Sequence, residues 1–262
     1  GKTILTASAD NSAKVWDTTG KLLATLPSQR NANKGHTDDV KNANFSPDGK
    51  TILTASFDKT AKIWNTTGKL LATLPSQRNA NKGHKHWVVN ANFSPDGKTI
   101  VTASWDKTAK IWDTTGKLLA TLKGHRGNVV NANFSPDGKT IVTASFDNSA
   151  KVWDTTGKLL ATLPSQRNAN KGHRGDVVNA NFSPDGKTIV TASRDKTAKV
   201  WDTTGKLLAT LKGHISSVEN ANFSPDGKTI VTASWDNSAK VWDTTGKLLA
   251  TLPSQRNANK GH

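Results

Sequence analysis

The 262-residue sequence has no cysteine and no methionine. Without cysteine there can be no disulfide framework, thiolate nucleophile or thiolate metal site. No apolar run approaches membrane-spanning length, so no membrane association is expected. There is no glycine-rich phosphate loop. Acidic residues are scarce beside basic ones, 20 Asp and Glu against 36 Lys and Arg, giving a net charge of +16. Finally, no set of catalytic-looking residues occurs only once, and an active site needs a unique set. The lack of Met, with a first residue in mid-repeat, leads to the expectation that these residues are a segment of a longer chain.

What is there is one template, copied. Trp16, Trp64, Trp112, Trp153, Trp201 and Trp242 follow one another at spacings of 48, 48, 41, 48 and 41 residues. The longer spacings carry the insert Pro-Ser-Gln-Arg-Asn-Ala-Asn, at 27–33, 75–81 and 164–170, and it recurs at 253–259. Six copies of a 41-residue unit, four of the insert and the loss of one 12-residue piece account for every residue. A period near forty residues marks a repeat architecture, not an ordinary two-domain enzyme.

The copy from Gly83 to Lys123 contains four short runs, Val88–Phe93, Thr99–Ser104, Ala109–Trp112 and Leu118–Leu122. Between them lie Ser-Pro-Asp-Gly, Trp-Asp-Lys-Thr and Asp-Thr-Thr-Gly. Runs of this length bounded by turn formers read as strands. Adjacent apolar residues such as Ile100–Val101 and Leu118–Leu119 predict sheets covered on both faces, as when four-stranded sheets repeat radially.

Gly-His, then Phe-Ser-Pro-Asp-Gly, then Ser-x-Asp, then Trp-Asp, recurring at this period along the whole chain, resembles the WD40-repeat β-propellers. The near-identity of the copies is similar to the highly repetitive bacterial arrays, or to a consensus-type engineered propeller. The resemblance implies an all-β fold of four-stranded antiparallel blades, six of them represented. A single domain is expected over 1–262, with a partial blade at 1–34 and blades at 35–82, 83–123, 124–171, 172–212 and 213–260; residues 261–262 open the next repeat. Several such bacterial arrays are sensor ends of signalling NTPases in defence, so the resemblance also implies a place in a larger signalling or defence protein. A cytoplasmic location is expected.

Two departures from the pattern stand out. Asn65 replaces the Asp that follows the other five Trp residues, a mild change. Gly-Lys-Thr-Ile occurs six times but Asn-Ala-Asn-Phe only five, at 42, 90, 131, 179 and 220. The first copy therefore lacks its opening strand, which the resemblance places innermost. Its loss would expose backbone groups and apolar side chains. The strand is expected to come from residues outside this sequence or from another chain.

Each copy holds the ingredients of a nucleophilic triad, for example His125, Thr143 or Ser145, and Asp147. Their repetition speaks against catalysis, and the resemblance implies that with Trp153 they form a structural hydrogen-bond tetrad. The template histidines (His36, His84, His125, His173, His214, His262) fall one per copy without other ligands at metal spacing. No catalytic residue, cofactor or metal is expected.

Where nearly identical copies differ, each has a separate task. The large differences fall in two places. One is the residue before Asp in Ala-Ser-x-Asp: Ala9, Phe57, Trp105, Phe146, Arg194 and Trp235. The other follows Gly-His: Thr37-Asp38-Asp39, Lys85-His86-Trp87, Arg126-Gly127-Asn128, Arg174-Gly175-Asp176 and Ile215-Ser216-Ser217, with Lys41, Val89, Val130, Val178 and Glu219 just beyond. Successive turns of an antiparallel meander alternate ends. Both variable stretches therefore share one edge, and the constant Ser-Pro-Asp-Gly and Thr-Thr-Gly turns share the other. All five aromatics outside the template, Phe57, Trp87, Trp105, Phe146 and Trp235, lie in variable positions. Aromatic and Arg side chains make interface hot spots; packing against a neighbouring loop is the plainer alternative for the rings.

Variable Lys41, Lys85, Arg126, Arg174 and Arg194 are nearly balanced by Asp38, Asp39, Asp176 and Glu219, so almost all the net charge is template. It reads as a solubilising surface with no specific nucleic-acid partner. The expectation is a non-catalytic module that binds a protein or peptide through the variable edge. Alternatives are a carbohydrate- or nucleotide-binding propeller, or a structural or engineered repeat scaffold with no ligand.

Overall fold

A computed structural model describes residues 3–27, 35–75, 81–164 and 172–252. Their 23 strands form six antiparallel sheets, the first of three strands and five of four, each a meander in which successive strands pair. The runs expected at 88–93, 99–104, 109–112 and 118–122 are strands Val88–Phe93, Thr99–Ser104, Thr108–Asp113 and Leu118–Lys123.

Local chemistry sets the hairpins. In the Ser-Pro-Asp-Gly turn, Gly49 N–H donates to the Ser46 carbonyl at 2.8 Å, and Gly49 sits at a φ of 71°, where a side chain would be strained. The Ser46 hydroxyl meets the Asp48 carboxylate at 2.6 Å and accepts from Thr51 N–H at 3.0 Å. In the Asp-Thr-Thr-Gly turn, the Asp113 carboxylate accepts from the N–H and hydroxyl of Thr115 and from Lys117 N–H. Asn65 accepts the same three bonds from Thr67 and Lys69, which explains why that exchange is mild.

The chain divides into two compact units, residues 1–134 with 155–157, and 135–154 with 158–262. The first unit contains the three-stranded sheet (Thr3–Ala7, Ala13–Asp17, Leu22–Leu26) and the second sheet (Val40–Phe45, Thr51–Ser56, Ala61–Asn65, Leu70–Leu74). It also contains the third sheet, given above, and the strand Val129–Phe134. The second unit contains Thr140–Ser145, Ser149–Asp154 and Leu159–Leu163, then the fifth sheet (Val177–Phe182, Thr188–Ser193, Thr197–Asp202, Leu207–Lys212) and the sixth (Val218–Phe223, Thr229–Ser234, Ala239–Asp243, Leu248–Leu252).

The core follows from the two-residue alternation of side chains along a strand. One face of the second sheet carries Leu53, Ala55 and Ile63; the opposite face carries Ile52 and Trp64. In the first unit Leu53, Ala55, Ala61, Ile63 and Leu74 of the second sheet pack on Val88, Ala91, Ile100 and Trp112 of the third. Ala13, Val15 and Leu26 meet Val40, Ile52 and Trp64 in the same way. In the second unit Val190, Ala192, Ala198, Val200 and Leu211 meet Val218, Ala221, Ile230 and Trp242. Each fully buried aliphatic side chain contributes about 1.5–3 kcal/mol.

Side-chain amides join the leading strands of neighbouring sheets. Asn44 Nδ2 donates to the Ala91 carbonyl at 3.0 Å and to Asn92 Oδ1 at 2.8 Å, and Ala91 N–H donates to Asn42 Oδ1 at 3.2 Å. Asn92 and Asn90 treat Ala132 in the same way, and in the second unit Asn181 and Asn179 do so with Ala221. The strand pattern of Asn-Ala-Asn alone does not reveal this role.

Candidate functional site

In four copies the His, Thr, Asp and Trp close into a directed hydrogen-bond chain. Trp64 Nε1–H donates to Thr54 Oγ1 at 2.9 Å. The Thr54 hydroxyl meets His36 Nε2 at 2.7 Å, and His36 Nδ1–H donates to Asp58 Oδ2 at 2.7 Å. The same chain runs through Trp112, Thr102, His84 and Asp106, through Trp201, Thr191, His173 and Asp195, and through Trp242, Thr232, His214 and Asp236. Trp153 donates to Thr143 at 2.9 Å, and His125 is buried. His262 lies outside the described residues, as does most of each insert.

Burial holds the His36, His84 and His173 imidazoles below their usual range, against the pull of the facing carboxylates. Burial alone would raise Asp58, but hydrogen bonds from His36, Thr60 and the Thr37 N–H bring it down to about 2. Asp106 and Asp195 are lowered by the same partners in their own copies. The result is a neutral imidazole donating to an ionised carboxylate. The threonine hydroxyls at its other end are sealed inside the sheets. Among the described residues no group of three or more His, Asp or Glu is arranged to hold a metal ion.

In four of the sheets the two variable stretches meet at one edge through the same main-chain bond. Phe57 N–H donates to the Asp39 carbonyl, Trp105 N–H to Trp87, Arg194 N–H to Asp176 and Trp235 N–H to Ser217, all at 2.9–3.0 Å. The preceding serine adds a second clamp: Ser56, Ser104, Ser193 and Ser234 Oγ donate to the carbonyls of Asp38, His86, Gly175 and Ser216. The main chain is held alike whether the side chain is Phe, Trp or Arg.

In the first unit this edge carries an aromatic run. Phe57 stacks on Trp87 of the next sheet with centroids 4.1 Å apart and planes 12° apart, and Trp87 lies 4.7 Å from Trp105. His86 flanks both tryptophans, and the Lys41 ammonium sits 4.9 Å from the Phe57 centroid, also reaching Asp39 at 3.9 Å. The three rings are half-buried, so packing between neighbouring sheets accounts for part of their surface. Asp38 accepts from Asp39 N–H, while the side chains of Lys85 and Arg126 are exposed.

In the second unit the Arg194 guanidinium lies 4.8 Å from the Phe146 centroid and pairs with Asp176 at 3.0 Å. Arg174 is exposed, its N–H donating to Asp195, and Glu219 is half-buried. Trp235 and Ile215 are 72% and 79% exposed. Shallow clefts of about 660, 570 and 550 Å³ lie at the opposite, constant edge, lined by the Ser-Pro-Asp turns (Ser46, Ser183, Ser135 and their neighbours). They recur with the template and belong to it.

The family described as "WD domain, G-beta repeat" matches residues 20–65, 68–113, 116–154, 157–202 and 205–243. The chain belongs to the WD40 repeat family. Its six antiparallel sheets are the β-propeller blades of that family, the first lacking a strand. The buried Trp–Thr–His–Asp chains are the structural tetrads implied by the WD40 resemblance. Among solved structures, the crystal structure of the computationally designed Ika8 protein is similar to this WD40 chain. The two are 28% identical with a TM-score of 0.78, over 97% of this chain and 72% of that one. No curated protein matches the sequence. No helix of the described residues is long and apolar enough to cross a membrane.

Proposed function

We propose that this WD40 chain is a non-catalytic module that binds a protein or peptide through its variable edge. The Phe57–Trp87–Trp105 run carries the reading. It concentrates aromatic surface, flanked by Lys41, Asp39 and His86, at positions where the scaffold needs no ring, since Ala9 and Arg194 take the place of Phe57 and Trp105 in other copies, and Asp39, Asn128, Asp176 and Ser217 that of Trp87. Anchoring aromatics with a polar surround are the hot-spot pattern of protein interfaces. Trp235 and Ile215 offer an exposed apolar pair on the second unit. Arg194, Asp176, Arg174, Lys85, Arg126, Asp38 and Glu219 would set specificity by charge. Repetition and burial of the His–Thr–Asp sets favour a structural over a catalytic role for them.

Phe57 and Trp87 cover each other's faces, which leaves less open ring surface than a sugar or nucleobase sandwich uses. A single propeller domain over 1–262, a cytoplasmic location and service as the sensor part of a larger bacterial signalling protein belong to the same reading. A second reading, a structural or engineered repeat scaffold without ligand, is favoured by the near-identical copies and by the likeness to a designed protein.

A random-peptide library panned against the protein separates the two. The binding module enriches peptides whose affinity falls by about tenfold or more in the Trp87→Ala/Trp105→Ala double variant, a loss of about 1.4 kcal/mol or more, with the melting temperature little changed. No enrichment supports the scaffold; undiminished binding by the variant removes the aromatic run from the site.

A further inference from the structure

Lysine is almost never buried without a charged partner. Yet Lys110 in the third sheet is only 8% exposed, and Lys199 in the fifth only 6%. The sequence holds 20 Asp and Glu, and every one lies among the described residues. Among those residues no ion pair joins any of them to either lysine. Each ammonium instead donates to a threonine hydroxyl, Lys110 Nζ to Thr121 at 3.3 Å and Lys199 Nζ to Thr210 at 3.2 Å. An ammonium has three N–H donors, so most of its capacity is left for something else.

The strand register sets further cations beside each lysine. Lys110 lies opposite Thr121, and Lys123, on the same face, lies opposite Thr108. Lys85 N–H donates to Asp106 Oδ2 at 2.9 Å, which fixes Lys85 at the same end of the sheet. Burial holds the Lys110 ammonium below the usual lysine range; Asp106 pulls it up, and Lys123 and Lys85 press it further down. The fifth sheet repeats the arrangement. Lys199 lies opposite Thr210, Lys212 opposite Thr197, and Arg174 N–H donates to Asp195 Oδ2 at 3.0 Å. Burial lowers Lys199 too, Asp195 pulls back, and Lys212 and Arg174 press it down. Lys85, Lys123, Arg174 and Lys212 are all exposed.

The second sheet holds the same buried lysine without this company. Lys62 is 8% exposed and donates to Thr73 at 3.2 Å. Thr37 stands in the place of Lys85, and Pro75 in that of Lys123. No cation among the described residues presses on Lys62.

We propose that Lys85, Lys110 and Lys123 in the first unit, and separately Arg174, Lys199 and Lys212 in the second, are binding sites for a diphosphate group. A buried cation without a counter-ion is costly, and a multiply charged oxyanion offsets it while accepting the unused ammonium N–H groups. One phosphate group carries about −1.5 to −2 charge at neutral pH, so three cations match two linked phosphates better than one. The exposed cations draw the anion in, and the buried lysine fixes its inner end. These sites do not depend on the aromatic run.

The test is isothermal titration calorimetry of the full chain with inorganic pyrophosphate at constant ionic strength, with inorganic phosphate and ADP in parallel. Saturable binding of one pyrophosphate per unit is expected, tighter than that of phosphate by about tenfold or more. ADP binding as well as pyrophosphate marks a diphosphate carried on an organic group, and pyrophosphate alone marks the free ion; either supports the sites. Lys110→Gln and Lys199→Gln should each remove one site, whereas Lys62→Gln should leave both. Lys85→Thr, which copies Thr37 at an exposed position, should weaken the first site by about tenfold and decides the matter even where Lys110→Gln perturbs folding. Absence of saturable heat overturns the proposal, as does binding that survives both Lys85→Thr and Lys199→Gln unchanged or is lost equally in Lys62→Gln.

Discussion

At the scale of single residues, the buried histidines tie stability to pH. The folded His36, His84 and His173 resist protonation, whereas the unfolded chain takes up a proton near the ordinary histidine value of 6.5. Below that pH the unfolded state binds more protons, so stability falls as pH falls. Asp58, held at about 2 instead of 3.8, acts in the same direction at lower pH: its contribution is present above 3.8 and lost toward 2. Melting temperatures at constant ionic strength should therefore be level above pH 7 and decline steadily from 6.5 to 5; a level profile through that range would contradict neutral buried imidazoles. The participants in these chains were readable in the sequence through repetition and family resemblance. The direction of the protons was not, because it depends on the indole N–H occupying one side of Thr54.

At the scale of elements, three hairpin turns share one design but fill it differently. Two place glycine at the positive-φ position; the Ser-x-Asp turn places Lys59, Lys107 and Lys196, or Asn11, Asn148 and Asn237, at φ values of 63–71°. Asparagine tolerates this conformation and lysine is strained in it. Lys107→Asn should thus stabilise the protein by about 0.5–1 kcal/mol in urea unfolding, and Lys107→Val should destabilise it. Strands and turns were legible because each run is short, alternates correctly and ends in turn formers. The asparagine links were not. Asn42 and Asn44 read as polar positions within a strand, and only the approach of the next sheet shows that they bind Ala91 across the gap. The Phe57–Trp87 stack was hidden for the same reason: the sequence placed both rings on one edge, but their contact depends on how neighbouring sheets pack.

At the scale of the whole molecule, stability is uneven within each unit. Thr3–Ala7 in the first and Leu248–Leu252 in the second are largely exposed, whereas Thr51–Ser56, Thr99–Ser104 and Thr188–Ser193 are almost wholly buried. Segments with little buried contact open locally at low free energy. Native-state hydrogen exchange should find the first two strands exchanging soonest and the last three only on global unfolding; uniform protection would mean that both uncovered strands have acquired partners. The net charge is likewise a property of the repeated surface and not of the variable edge, where acids nearly offset bases.

The serine and amide clamps behind the variable edge have a consequence of their own. Because they grip only main-chain atoms, the side chain beyond them is free to change without the loop losing its shape. A library randomised at 57, 105, 194 and 235 should yield mostly folded members, each displaying a new combination of groups on an unaltered frame. The surface that such a protein displays at this edge can be rewritten one blade at a time.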